Sequence, residues 1–314
     1  MTTSCAAGAS VDRILMKVLN FGALNIDYVY QVPHFVLPGE TISSTRLDLF
    51  CGGKGLNQSL ALARAGAQVF HAGCIGADGT MLTDVLREAG ADVSRVHVVE
   101  GSSGHAIIQV APDGQNAILL FGGANRKIET KQIQAAFEGF ESGDLLLIQN
   151  EISGNAEIMR EAAGRGMRVI LNPSPIDSGL DLLPLDQVYG FILNELEGEA
   201  LSGRKESEEI CREMLRKYPA EFVVLTLGPR GAIYADRSGT TRQVAYDVPV
   251  VDTTGAGDTF TGYFLSAFAQ GKNRAECLKW ANAASSLAVG REGAAAGIPL
   301  HEEVASFLSS REDR

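Results

Sequence analysis

The stretch Asp252-Thr253-Thr254-Gly255-Ala256-Gly257-Asp258-Thr259-Phe260 holds the residue types with the most chemical potential in the chain. A strand-like run, 247–251, leads in, and a helix with apolar positions Phe260, Phe264, Leu265 and Phe268 leads out. Gly255, Ala256 and Gly257 at a helix start leave backbone N–H groups unpaired. The helix dipole favours an anion there, and small side chains let a phosphate come close. Asp258 beside such an anion hole suits a general base that takes a proton from a hydroxyl while the hole holds a transferring phosphoryl group. A helix cap at Asp258 or Thr259, behind a tight glycine turn, accounts for the same residues.

Phe50-Cys51-Gly52-Gly53-Lys54-Gly55-Leu56-Asn57-Gln58 is a second candidate. Its glycines expose amides to a polyhydroxy ligand, and Lys54 and Asn57 add donors; a glycine turn with a solvated lysine is the plainer alternative. It is not a Walker A loop, because Gly53-Lys54 is followed by Gly55 rather than Ser or Thr. Asn25 and Asp27 point the same way in extended chain, at the carboxyl edge where ligands bind in open α/β sheets. An Asx turn would also use them. Asn194-Glu195-Leu196-Glu197 and Thr226-Leu227-Gly228-Pro229-Arg230-Gly231 each follow a strand; either also reads as a mere loop.

The elements that would position these residues alternate along the chain. Apolar runs at 14–21, 68–74, 144–149, 167–171, 190–193 and 222–227 suit strands of a parallel sheet buried on both faces. Helical periodicity covers 57–65, 80–89, 130–140, 155–164 and 207–218, and from about Asp258 the chain turns helical, over 258–270, 274–290 and 300–309. The pattern predicts a doubly wound, mainly parallel α/β domain over 13–314. Segments 28–50 and 104–124 break the rhythm with hairpin-like patterning and predict a small antiparallel β-sheet lid inserted in it.

Composition removes other classes. Lys+Arg 27 against Asp+Glu 38 gives a net charge of -11, which argues against a nucleic-acid partner. No apolar run approaches the ~18 residues of a membrane span. The five cysteines are scattered without CxxC spacing, so neither disulfides nor a zinc site are expected. A cytoplasmic protein is the expectation, with residues 1–12 as an ill-ordered extension. The 35 glycines are about 11% of the chain against roughly 7% usually, which points to many close backbone approaches.

Together these motifs resemble the ribokinase family of sugar kinases, the PfkB carbohydrate kinases, over about Asn20 to Phe307. Pro38-Gly39-Glu40-Thr41, Gly123-Ala124-Asn125 and Asn172-Pro173 fall in the same order as in that family. The resemblance implies ATP-dependent phosphorylation of a sugar hydroxyl, with D-ribose as the first expectation. It implies Asp258 as base and the amides of Gly255, Ala256 and Gly257 as anion hole. Asn25, Asp27, Gly52, Gly53, Lys54, Asn57 and Glu151 would hold the sugar. Asn194, Thr226, Gly228, Gly231, Gly257 and Asn282 would line the nucleotide site, and Glu197 would orient Mg²⁺ through water. A K⁺ site would use Asp252, Thr254, Ala288, Arg291, Gly293 and Gly297, and the lids would pair into a homodimer.

Departures from the family pattern bear on the substrate. Gly297 stands where the family often has Ser, so a side-chain ligand for K⁺ is missing. His105 and Gln109 replace apolar lid residues, and Cys51 replaces a larger one. A polar pair facing the sugar would favour another acceptor; facing solvent or a second subunit, it would not. A kinase for another sugar or a nucleoside is the alternative acceptor reading, and a non-catalytic sugar-binding regulator is the alternative of another class.

Overall fold

A computed structural model of the chain describes residues 15–312. The expected extension at 1–12 and the first residue of the 14–21 run lie outside the described residues. In chain order the strands are β1 (Val18–Phe21), β2 (Asn25–Gln31), β3 (Arg46–Gly52), β4 (Val69–Ile75), β5 (Asp92–Val98), β6 (Gly104–Val110), β7 (Asn116–Phe121), β8 (Leu145–Gln149), β9 (Arg168–Asn172), β10 (Val188–Asn194), β11 (Phe222–Thr226), β12 (Ala232–Asp236) and β13 (Gly239–Gln243). The helices are α1 (Lys54–Arg64), α2 (Thr80–Glu88), α3 (Thr130–Ala136), α4 (Asn155–Gly164), α5 (Glu195–Ser202), α6 (Ser207–Lys217), α7 (Ala256–Ala269), α8 (Arg274–Val289), α9 (Ala294–Gly297) and α10 (His301–Glu312).

Among the described residues, nine strands form one sheet in the order β13-β12-β11-β10-β9-β8-β1-β4-β5, parallel except for the β11–β12–β13 edge. Its central strands are apolar on both faces because both faces are covered. Leu19, Phe21, Leu146 and Ile148 pack under α3 and α4, and Val18, Leu145, Leu147 and Val224 pack under α1, α7 and α8. The chain runs from β1 outward to β4 and β5, then returns to β8 on the other side of β1. The C-terminal ends of β1 and β8 are therefore a topological switch point, where open α/β sheets bind ligands.

A second sheet, in the order β3-β2-β6-β7, forms the lid. Its two hairpins are antiparallel, and β2 and β6 join them side by side in parallel register.

One expected strand did not form. Residues 244–250 have no regular structure. Pro249 has no amide to donate, and Val250 and Val251 stand exposed rather than packed in a sheet. Conversely, α5 and the β12–β13 hairpin form where the apolar patterning gives no element. Asn194 and Glu197 form a capping box at the start of α5, a signal present in the Asn-x-x-Glu spacing.

Candidate active site

Asp258 sits in the first turn of α7, whose N-cap is Gly255. Gly255 has φ +74°, and a Cβ there would come within 2.9 Å of Ala294, so the turn needs glycine on two counts. A Cβ on Gly257 would meet nothing, so this edge of the helix start is open. The Ala256 amide turns back to the Thr253 carbonyl at 3.3 Å, which leaves the neighbouring first-turn amides as the ones free of a helical acceptor. Asp258 itself is buried, with Asn57 Nδ2 donating to Oδ2 (3.0 Å) and Gln58 Nε2 donating to Oδ1 (2.9 Å).

The residues expected to hold a sugar gather beside it. Lys54 and Gly53 open α1, and the Lys54 amide donates to Glu151 Oε2 at 3.0 Å just past β8. The Asp258 carboxylate raises the pKa of Lys54; burial opposes this, and Glu151 and Glu197 reinforce it. Burial raises the Glu151 carboxyl, against the pull of Lys54. Asp27 lies on β2 with its carboxyl pushed up to about 7, first by burial and then by Glu151. Gly52 makes room for it, since a Cβ there would overlap the Asp27 carboxylate. Asn25 is less free than expected: its Oδ1 accepts from Asn125 Nδ2 at 2.8 Å, so Nδ2 is the group left to face a ligand. Asn57 Oδ1 is buried without a partner among the described residues.

A cleft of about 250 Å³ joins Lys54, Asp258, Gly255 and Gly257 to Asn194, Glu197 and Thr226. Both Glu197 carboxylate oxygens accept from Asn194, from its amide (3.0 Å) and from Nδ2 (2.9 Å). Gly228 and Gly231 form the turn after β11, where a side chain on Gly231 would overlap the Gln243 carbonyl. Asn282 lies buried in α8 with its Nδ2 on the Leu278 carbonyl, and it is not among the residues lining the cleft.

Behind the helix start, burial works against ionisation of Asp252, but hydrogen bonds from Thr254 and the Gly293 amide outweigh it and lower its pKa. The Asp252 oxygens accept from the Thr254 hydroxyl (2.6 Å) and amide (2.9 Å) and from Gly293 N (2.9 Å). The Ala288 and Arg291 carbonyl oxygens lie 3.4 and 3.8 Å from where a Cβ of Gly297 would stand. Two carbonyls thus converge on a space that a side chain would fill. The Arg291 guanidinium is turned to Glu303, at 2.6 Å.

The polar lid pair faces away from this site. In register, His105 pairs with Ile26 and Gln109 with Tyr30, whereas Asp27 pairs with Ala106. Side chains alternate along a strand, so His105 and Gln109 occupy the face opposite to Asp27. His105 packs between Tyr28 and Phe121, and Gln109 accepts from the Val36 amide at 3.1 Å. On the Asp27 face β6 carries Ala106 and Ile108, and β7 carries Leu120, all apolar. The reading that a polar pair faces the acceptor therefore fails on register. Cys51 turns to the Met81 carbonyl of α2 at 3.6 Å.

Four amides given no role by sequence reasoning stand under Asp258: Gln58, Gln149, Asn20 and Asn172. The only local signal was that Gln58 adjoins Asn57 in the first turn of α1 and Asn172 ends a strand.

Comparison with known proteins gives a consistent picture. Residues 16–300 match the model of the pfkB family carbohydrate kinases. The chain is 34% identical to a ribokinase of Haemophilus influenzae, over 91% of this chain and 96% of that one. It is 36% identical to a ribokinase of Bacillus subtilis, over 94% of this chain and all of that one. The structure of Arabidopsis thaliana ribokinase complexed with ribose and ATP superposes with a TM-score of 0.82 at 29% identity, covering 94% and 99% of the two chains.

Proposed function

The chain belongs to the pfkB family of carbohydrate kinases, and from that premise we propose that it transfers the γ-phosphoryl group of ATP to the 5-hydroxyl of D-ribose. The observation that carries this is Asp258, buried at the open N-terminus of α7 with both carboxylate oxygens held by amide donors. Two further points favour ribose: the relatives above are ribokinases, and the β6–β7 half of the lid face beside Asp27 is apolar.

On this reading the sugar lies between β2 and α1. Asp27 and Glu151 accept hydrogen bonds from its hydroxyls, while Lys54, Asn57, Asn25 and the Gly52–Gly53 backbone complete the grip. Such a ligand suits an acidic pocket, because hydroxyls donate to carboxylates. Asp258 takes the proton of the attacking hydroxyl as its oxygen bonds to the γ-phosphorus. The bond from that phosphorus to the β–γ bridging oxygen breaks, and ADP departs with the electron pair. Free first-turn amides of α7 stabilise the charge that spreads over the transferring oxygens. Asn194, Thr226, Gly228 and Gly231 form the nucleotide side, while Asn282, buried in α8 and off the cleft, is left out of it. Lys54 supplies a fixed positive charge, and catalysis is mainly positioning and electrostatics.

Among the described residues no group of three or more His, Cys, Asp or Glu is arranged to hold a metal. The Glu197 carboxylate at the cleft, with its oxygens held by Asn194, suits Mg²⁺, which keeps most of its waters and arrives bound to nucleotide phosphates. Glu197, already tied to Asn194, would orient it through water, and the ion would offset phosphate charge. The converging Ala288 and Arg291 carbonyls at Gly297, with Asp252 behind them, fit a K⁺ ion. Its charge would reinforce the anion hole. Gly297→Ser adds the missing side-chain oxygen, and the K⁺ concentration for half-maximal rate is expected to fall severalfold with kcat at saturating K⁺ unchanged; a K⁺ titration of rate measures it.

The chain is read as one catalytic unit over 13–314 with lid segments 28–50 and 104–124. It works in the cytoplasm, where its thiols Cys51, Cys74, Cys211 and Cys277 stay unpaired. Exposed apolar lid residues Leu47, Leu49, Leu119 and Phe121 favour a homodimer, to be measured by sedimentation equilibrium. ADP release screened across pentoses, hexoses and nucleosides tests the acceptor. Ribose is expected to give the highest kcat/KM, and a nucleoside or hexose ahead of it would overturn that choice. Sugar binding without turnover in MgATP and K⁺ would indicate a regulator instead.

A further inference from the structure

Gln58 is 1% exposed, and its amide makes three hydrogen bonds. Nε2 donates to Asp258 Oδ1 (2.9 Å) and to Asn172 Oδ1 (3.1 Å), while Oε1 accepts from Gln149 Nε2 (2.7 Å). Gln149 Nε2 also donates to Asn20 Oδ1 at 3.0 Å. Asn20 Nδ2 in turn donates to the Gly55 carbonyl and the Ser59 hydroxyl, both at 2.8 Å.

The two ends of an amide have the same shape, so the network alone decides which end faces which neighbour. Backbone carbonyls decide it here, because they can only accept. The Gly55 carbonyl takes Asn20 Nδ2, which turns Asn20 Oδ1 to Gln149. Gln149 must then donate, and Gln58 Oε1 receives. From the other side the Ile192 carbonyl takes Asn172 Nδ2 at 2.9 Å, which turns Asn172 Oδ1 to Gln58. From either side the two N–H bonds of Gln58 are left aimed at Asn172 and Asp258. Turning that amide over would set its oxygen against two acceptors and its nitrogen against a donor, all of them buried.

The helices hold this arrangement in place. Asn57 and Ala61 share one face of α1, as Asp258 and Gly262 share one face of α7, each pair one turn apart. Gly262 lies against Ala61 so closely that a Cβ would overlap it, which brings the two helix starts together. Asp258 is therefore gripped at both oxygens, by Asn57 on one and Gln58 on the other.

We propose that Gln58 is a positioning residue for phosphoryl transfer. It holds the Asp258 carboxylate in the plane from which that group receives the acceptor's proton, and the Gln149–Asn20 and Asn172 amides set its polarity. This rests on the reading of Asp258 as the base. Loss of one grip lets the carboxylate rotate out of line, and small misplacement of a reacting group is costly.

Gln58→Met and Gln58→Glu, with Asp258→Asn and the double variant Gln58→Met/Asp258→Asn, test it in MgATP and ribose. Gln58→Met lowers kcat about 10- to 100-fold and leaves both KM values within about threefold. Gln58→Glu keeps the chain length and the oxygen that accepts from Gln149 but turns an acceptor toward Asp258. It loses at least as much kcat with the same KM values, whereas a purely space-filling role would be rescued by it. In the Asp258→Asn background Gln58→Met lowers kcat by less than about twofold more, because its effect passes through that carboxylate. Thermal melting confirms that each variant is folded. Wild-type kcat in both Gln58 variants, sugar KM rising as far as kcat falls, or additive losses in the double variant overturn the positioning role and leave the base assignment standing. Asp258→Asn turning over near the wild-type rate overturns the base assignment itself, and the role of Gln58 with it.

Discussion

Asp258→Asn is expected to lower kcat by about 10²- to 10⁴-fold while sugar and ATP bind nearly as in the unaltered chain. The substitution keeps volume and leaves an oxygen that accepts from Asn57 or Gln58, so the fold and the cleft persist. It removes the group that takes the hydroxyl proton. The anion-hole amides and the positioning of both substrates remain, which is why some catalysis should survive. Steady-state rates with calorimetric binding measure both parts. Loss of binding in step with rate would instead make Asp258 a substrate ligand without a base's role.

Asp27→Asn should act on the sugar rather than on the chemical step. The Asp27 carboxyl titrates at about 7, raised mainly by burial and further by Glu151. As pH rises through about 7 the group ionises and becomes a strong acceptor, so kcat/KM for the sugar should rise over that range and level off above it. Asparagine removes the charge-assisted hydrogen bonds, each worth about 1.5–3 kcal/mol. Sugar KM should therefore increase about 10- to 100-fold, the limb near pH 7 should flatten, and ATP KM should barely move.

The same shift has a stability consequence of definite sign. The folded chain binds the Asp27 proton more tightly than the unfolded chain does, so this stabilisation is fully present below the unfolded value of 3.8 and is lost as pH rises through about 7. Without sugar, Asp27→Asn should raise the melting temperature clearly at pH 8 and much less at pH 5. Equal shifts at the two pH values would show that the carboxyl is not perturbed. A residue that weakens the empty protein in order to grip its ligand is a common bargain at binding sites.

Much of the fold was legible because its signals are local. The buried runs of β1, β8 and β11 are continuous apolar stretches, and helix periodicity placed α4 at 155–164. The lid announced itself by strands without a helix between them. The 247–251 run misled because apolar residues beside Pro249 resemble a strand, while no sheet edge was there to receive them. The α5 start is written in the capping box of Asn194 and Glu197, a local signal too, but the short Asn-x-x-Glu stretch after a strand reads equally as a loop.

At the site the division is sharper. Asp258 behind Gly255-Ala256-Gly257, and Lys54 behind Gly52-Gly53, are contiguous, and their chemistry follows from backbone geometry within a single turn. Asn25 and Asp27 share a face through strand alternation alone. The sequence by itself therefore determined which groups could accept a proton, cradle an anion or meet a hydroxyl. It could not say which way His105 and Gln109 faced relative to Asp27, because that depends on the pairing of β2 with β6, strands about 80 residues apart in register. Nor could it find the grip on Asp258 by Gln58, 200 residues away, whose amide polarity is set through Asn20, Gln149 and Asn172 by the carbonyls of Gly55 in α1 and Ile192 in β10. Local backbone geometry is a property of neighbours in the chain. The partner that a buried polar group takes is a property of packing, and only the tertiary structure decided it.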